Sequence, residues 1–227
     1  STNVASCSNL NQAWLTYYLI NDILNSGISY CMNVSANNVT LDCQNYIIDG
    51  VDSNYGIYAY RSSSTNANIT IKNCVVRDWS YSIYFENTNG TNIINSDSNS
   101  NFRAYLSSSS DVQINNSEFD YNVHGLFLFY CSGVDITNST FDNNVEGLIM
   151  QLGSNVQITN STFDNNADEG IDIISNSNID IINSTLNNNT WGLYSLSSSS
   201  DVRTANSTFN NNDYGFLLIN SNSFSII

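Results

Sequence analysis

The chain has 227 residues, of which 41% are hydrophobic and none is proline, and its 20 Asp and Glu against five Lys and Arg give a formal charge of −15. That balance excludes nucleic acid and anionic lipid surfaces, whose phosphates demand Lys and Arg, and it weighs against anionic polysaccharides. The hydrophobic share excludes a disordered tail, no apolar run approaches the ~18 residues of a membrane span, and with no secretory signal visible the chain is read as starting at a mature terminus.

Residues 1–35 stand apart from the rest of the chain. The stretch Ala13-Trp-Leu-Thr-Tyr-Tyr-Leu-Ile-Asn-Asp-Ile-Leu24 reads either as an amphipathic capping helix or as a degenerate first coil. Its Tyr, Thr and Ile content, with Cys31-Met-Asn-Val34 after it, leans towards strands. Four of the five cysteines, Cys7, Cys31, Cys43 and Cys74, fall in the first third, and none forms a C-x-x-C pair. Two disulfides, Cys7–Cys31 and Cys43–Cys74, are the expected arrangement, with Cys131 left over and buried free thiols as the alternative. Disulfides imply an oxidising, extracellular setting or the cell surface.

From residue 36 onward the chain repeats itself. Val134-Asp-Ile-Thr-Asn-Ser-Thr-Phe141 returns at 156–163, 179–186 and 202–209, and looser copies start at Val112, Thr91, Ile69 and Val39, so that the later copies succeed one another every 21 to 23 residues. Each copy is too short to bury its own apolar face, so copies must stack. Within one copy, Val134-Asp-Ile-Thr alternates apolar and polar as a half-buried strand. Asn138-Ser139 makes a turn, Thr140-Phe-Asp142 a second short strand, 143–147 a second turn, and Leu148-Ile-Met150 a third strand. Three short strands per coil of ~22 residues describe an all-β solenoid. Here the segments Ala36-Asn-Asn-Val-Thr-Leu-Asp-Cys-Gln-Asn-Tyr-Ile-Ile-Asp-Gly50, Asn68-Ile-Thr-Ile-Lys-Asn-Cys74 and the Ile-Thr-Asn-Ser-Thr-Phe-Asp-Asn-Asn copies resemble the right-handed parallel β-helix repeat proteins of secreted and cell-surface type in archaea and bacteria. That resemblance covers 36–227 and implies the fold. It leaves function open, because the fold hosts lyases, hydrolases, epimerases, adhesins and structural proteins alike.

Aligned copies give columns. Asn73, Asn95, Asn116, Asn138, Asn160, Asn183 and Asn206 share the first-turn position, and coils ~4.8 Å apart let an Asn amide there bond to the next, so this column is expected to be a buried ladder. A second-turn column (Gly56, Ser82, Ala104, Gly125, Gly147, Gly170, Gly192, Gly215) holds only small residues, which suits a positive φ or close backbone approach. The core column after it is read as Ile57, Ile83, Tyr105, Leu126, Leu148, Ile171, Leu193 and Phe216. Of the N-x-S/T sequons, those at Asn33, Asn38, Asn68, Asn89, Asn115 and Asn188 lie outside the ladder and are the glycosylation candidates. Asp120, Asp142 and Asp164 are expected to point outward, one per coil. They are weak candidates for a bridging Ca²⁺, a solvated acidic face being the plainer reading, and no other cofactor is expected.

No catalytic constellation is evident. Paired carboxylates could be drawn from the Asp stack, but nothing places one in a desolvated pocket. The basic residues Arg61, Lys72, Arg77, Arg103 and Arg203 are scattered, and His124, the sole histidine, reads as a surface turn residue. The outer face of the third strand is the notable feature. Tyr58, Tyr84, Leu106, Phe127, Ile149, Asp172, Tyr194 and Leu217, with Tyr60, Phe129, Ile174, Leu196 and Ile219 beside them, make an outward strip too apolar for a lone soluble rod. Together with Phe224, Ile226 and Ile227, which start a coil without a visible cap, it suggests an interface with copies of the same chain, end to end or side by side, or with neutral glycans. The expectation is therefore an extracellular, non-catalytic, self-assembling subunit of a filament or surface layer. A carbohydrate-binding adhesin module, or a polysaccharide lyase or hydrolase, is the alternative.

Overall fold

The alternation within each copy turns one side of every short strand inward, and turn residues at fixed places close the coil. The computed structural model describes residues 1–196, 199–220 and 222–226, and these form strands without a helix. Eleven strands, from Thr2–Val4 to Asn222–Ile226, make one long sheet, and ten, from Ser8–Leu10 to Tyr214–Ile219, make another. The third side is a three-stranded sheet of Ile47–Asp49, Val75–Arg77 and Asp97–Asn99, continued by single bridges from Asp97 through Glu118, Thr140, Thr162 and Thr185 to Thr208. All pairings are parallel, and the register sets like over like, as in Val112, Val134, Val156, Ile179 and Val202. The architecture is a parallel β-helix. Residues 1–34 belong to it: Thr2–Val4, Ser8–Leu10, Thr16–Leu19 and Tyr30–Val34 are strands of the two long sheets, so the 13–24 stretch forms no helix. Disulfides join Cys7 to Cys31 and Cys43 to Cys74, and Cys131 is free and buried.

The interior holds columns of Ile, Val, Leu and Phe. Phe119, Phe141 and Phe163 stack face to face at 5.1 and 4.9 Å, all fully buried, with Leu186 above them. Each such side chain contributes about 1.5–3 kcal/mol through burial.

Several columns differ from the sequence reading. Asn73, Asn95, Asn116, Asn138, Asn160, Asn183 and Asn206 form no buried ladder: each has φ near +50°, and all but the half-buried Asn73 are exposed. Asn is chosen there because its short polar side chain tolerates the left-handed conformation that the corner needs. The ladder belongs to the next residue. Ser96, Ser117, Ser139, Ser161 and Ser184 each donate a backbone N–H to the hydroxyl oxygen one coil on, at 3.1–3.2 Å. A true Asn ladder runs through the second turn, where the N–H groups of Asn101, Asn122, Asn144, Asn166 and Asn189 donate to the Oδ1 atoms of Asn122, Asn144, Asn166, Asn189 and Asn212 at 2.8–2.9 Å. Small residues precede the core column for close approach, not for positive φ: a Cβ on Gly147 would lie 2.5 Å from the carbonyl oxygen of Gly170. The strand Arg103–Ser107 lacks that small residue, and its register shifts between Arg103 and Ala104. Ala104 and Leu106 therefore face the core and Tyr105 faces out, the reverse of the reading from the alignment.

Asp120, Asp142 and Asp164 also do something other than point into solvent. The Oδ1 of Asp120 accepts the Asp142 N–H at 2.7 Å and the Thr140 hydroxyl at 3.1 Å. Asp142 likewise accepts from the Asp164 N–H and Thr162, and Asp164 from the Asn187 N–H and Thr185. Their oxygens serve a third ladder. Among the described residues no group of His, Cys, Asp and Glu is arranged to hold a metal ion.

Candidate active site

The ten-stranded sheet turns one face outward, and strand alternation sorts that face into columns running along the rod. One column passes from Tyr30 to Tyr55, Tyr81, Arg103, His124 and Glu146 on successive coils. It continues with Glu169, Trp191 and Tyr214. The column beside it holds Tyr58, Tyr84, Tyr105, Phe127, Ile149, Asp172, Tyr194 and Leu217. Aromatic residues thus occupy both ends of the face, and its charged groups meet in the middle.

His124 is the first residue of the strand His124–Phe129, not of a turn, and its Nδ1 lies 2.9 Å from Oε2 of Glu146 one coil on. Its ring meets Phe102 edge to face at 5.3 Å. Glu169 stands on the following coil in the same column. Burial pushes its carboxyl up to about 7, helped by the negative charges of Asp168, Glu146 and Asp172. Asp172, in the neighbouring column, is likewise raised to about 7 by burial first and then by Glu146 and Asp168. Its Oδ1 is buried with no hydrogen-bond partner. Arg103 closes the other side, its guanidinium 4.4 Å from the ring of Phe102 and within 5.7 Å of Tyr81 and Phe127. Its Nε is also buried without a partner. A groove of about 580 Å³ runs along the turns that precede these strands, between Trp79, Phe102, Tyr121, Asp52 and Asp78. Two carboxyl groups able to carry a proton near neutral pH, set beside a His–Glu pair, are equipment for general acid–base chemistry.

The structure brings part of the outward strip to this place. Tyr58 and Tyr84 stack on each other at 5.5 Å, Tyr84 stacks on Tyr105 at 5.2 Å, and Tyr30, Tyr55 and Tyr81 stack in parallel with them at 5.3 and 5.1 Å. Their faces are covered by one another, so what the bank offers is ring edges and hydroxyls. The Tyr84 hydroxyl donates to Glu86 at 2.7 Å, and burial with this carboxylate beside it raises the phenol well above its ordinary range. Phe127 lies against Arg103, Tyr194 against Trp191 at 5.7 Å, and Leu217 is half-buried. Ile149, expected to be exposed, is buried among these neighbours. Phe224 leans inward on Phe216 at 5.4 Å, Ile226 is exposed, and Ile227 lies outside the described residues. The N-terminal segment does not cover the strip: Trp14 is 82% exposed, whereas Tyr17 is buried and its hydroxyl accepts the Gln12 N–H. Of the sequon residues, Asn38 accepts from the Asn68 side chain, Asn89 accepts the Ser110 N–H, Asn33 and Asn115 are half-buried on strands, and Asn188 is exposed.

The sequence reading missed Glu146 and Glu169. Both lie just before the small-residue column, and the signal was available there: counting two residues back from each core position places His124, Glu146 and Glu169 on consecutive coils.

Residues 10–152 and 104–227 both match the family described as "Right handed beta helix region". The chain belongs to this family. No curated protein sequence matches it. Among solved structures it is similar to a periplasmic alginate epimerase, AlgG, with a TM-score of 0.71 and 14% identity over 95% of this chain and 61% of that one. It is similar to the Azotobacter vinelandii mannuronan C-5 epimerase AlgE4 A-module, with a TM-score of 0.57 and 14% identity over 93% of this chain and 77% of that one. ORF18 of Geobacillus virus E2 has a TM-score of 0.71 at 14% identity, covering all of this chain and 52% of that one. The chain thus spans 61% of the length of AlgG. At such identities the likeness is one of fold. The expectation of a non-catalytic filament or surface-layer subunit is overturned on this face, which sets a His–Glu pair beside two raised carboxyl groups, in a fold shared with an alginate epimerase and a mannuronan C-5 epimerase. The two disulfides mark a protein of an oxidising compartment outside the cytoplasm.

Proposed function

We propose that this protein is a polysaccharide-acting enzyme of the extracellular space or cell surface, with its centre at His124, Glu146, Glu169 and Asp172. The observation that carries this reading is the pair of half-buried carboxyl groups raised to about 7 next to a hydrogen-bonded His–Glu pair, on a face flanked by aromatic residues. Two carboxyls in different environments are what glycoside hydrolysis requires. Glu169, with Asp172 beside it keeping its carboxyl protonated, gives its proton to the glycosidic oxygen as the bond to the anomeric carbon breaks. Glu146, held by His124, stabilises the developing positive charge and takes a proton from the incoming water. The chain's charge of −15 and the three acidic groups at the centre favour an uncharged glycan over a polyanion. A second reading, epimerisation or elimination on a uronate, has Arg103 in its favour, with an unpartnered Nε beside His124, and accords with the epimerases among the neighbours.

Incubation with soluble glucans, mannans, galactans and xylans, beside alginate, tests this. New reducing ends from a neutral polymer, reduced by about 10²-fold or more in Glu169→Gln, are expected. Activity on alginate alone would transfer the case to the second reading, and inactivity on every polymer would reject both.

A further inference from the structure

Two aromatic banks sit on either side of the acidic centre. On one side are the phenol columns Tyr55–Tyr81 and Tyr58–Tyr84, on the other Trp191 and Tyr214, whose rings stack at 4.0 Å with Tyr214 56% exposed. Tyr81 and Trp191 are five coils apart in one column, about 24 Å at ~4.8 Å per coil. Among the described residues nothing folds across the row between them. From Arg103–Ser107 to Tyr214–Ile219 the strands of this sheet are five or six residues long, and they begin every 21 to 23 residues, which leaves no room for an inserted wall. An enzyme that trims chain ends needs such a wall, because only a blocked side places a terminus at the reacting groups. A face open on both sides, with holding surfaces on both, accepts the middle of a chain.

Resting on the reading above, we propose that the substrate is a long, uncharged glycan lying along the rod across both banks, so that attack falls within the chain and not at its end. The chemistry of the banks selects the occupant. Ring edges and hydroxyls match the alternating C–H and O–H surface of a sugar. Arg103, the one cation in these columns, is taken up by the rings of Phe102, Tyr81 and Phe127. Arg61, beside Tyr60, is consumed by the carbonyls of Val34, Ala36 and Tyr60. A polyanion, or a second copy of a chain carrying −15, meets here a single cation already packed among three rings, beside Glu146, Glu169 and Asp172.

The test uses the full chain carrying Glu169→Gln and Asp172→Asn, so that binding is read without turnover, in affinity gels containing the neutral polymers or alginate. A neutral polymer is expected to retard it, and Tyr58→Ala with Tyr84→Ala, or Trp191→Ala with Tyr214→Ala, should each weaken retardation about tenfold. Tyr58→Phe with Tyr84→Phe keeps the ring stack and should lose less, which separates lost contact from lost folding. On the parent protein the early products should be of intermediate length, with viscosity falling ahead of reducing-end release. Retardation by alginate but by no neutral polymer, loss from one bank only, or early release of mono- and disaccharides would overturn the inference. Retardation dependent on both banks, with no turnover by the parent of any polymer, would sink the catalytic reading and leave the two-bank binding intact.

Discussion

At the scale of single residues, the fold turns on which of two adjacent positions points inward. Asn160 and Ser161 are neighbours, yet Asn160 sits exposed at φ +51° and Ser161 is buried in a ladder. Asn160→Gly should change stability by no more than about 0.5 kcal/mol, since glycine takes the left-handed conformation freely. Asn166→Ala removes the acceptor of the Asn144 N–H, leaves that buried donor unpaired, and should cost about 1–3 kcal/mol. Chemical denaturation of the two variants checks both values. The repeat unit Asn-Ser-Thr made a ladder legible in the sequence but not its place, because both Asn and Ser can hydrogen-bond to a stacked copy. What decides is the corner's need for a positive φ, a backbone property that no residue count reveals. The second-turn Asn column was hidden for a related reason. Runs such as Asn165-Asn166 offer two candidates, and only the closed coil shows which is buried.

At the scale of strands, period and columns were legible because apolar residues recur in step through most of the chain. A slip of register came where the pattern breaks. Arg103–Ser107 has no residue matching Gly125, so aligning by spacing exchanged the inward Ala104 and Leu106 with the outward Tyr105. The glycine itself carries a prediction. Gly147→Ala places a Cβ against the Gly170 carbonyl, and the coil cannot yield without losing pairing on both sides. That variant should unfold at a lower temperature than Ala104→Gly, which adds no atoms and only vacates space. The disulfides tie the first coils in the same way. Reducing Cys7–Cys31 and Cys43–Cys74, which close 24 and 31 residues, should cost about 2–4 kcal/mol each. The loss should appear first as hydrogen exchange in the strands nearest the N-terminus.

At the scale of the whole molecule, the rod carries many carboxylates that its own packing disfavours. Asp97 and Asp142 are pushed up to about 6, and Glu169 and Asp172 to about 7, burial being the first cause in each. A carboxyl raised in the folded state contributes stability that is full below its unfolded value and is lost as pH rises through the folded one. Asp42 and Asp49 lie below their ordinary range, burial being outweighed by hydrogen bonds and by ion pairs with Lys72 and Arg77, and act in the opposite sense as pH falls through the acid range. The thermal midpoint is therefore predicted to be highest near about pH 5 and to decline towards about pH 8. The same groups set the reaction. With Glu169 as the proton donor, kcat/KM on the best neutral glycan should fall as pH rises through about 7. The decisive measurement is that profile for the parent and for Glu169→Gln. A parent whose rate drops above neutrality, beside a variant that has lost both the rate and the inflection, is the predicted result. A rate indifferent to pH across this range, or a variant as fast as its parent, would contradict the assignment of the centre.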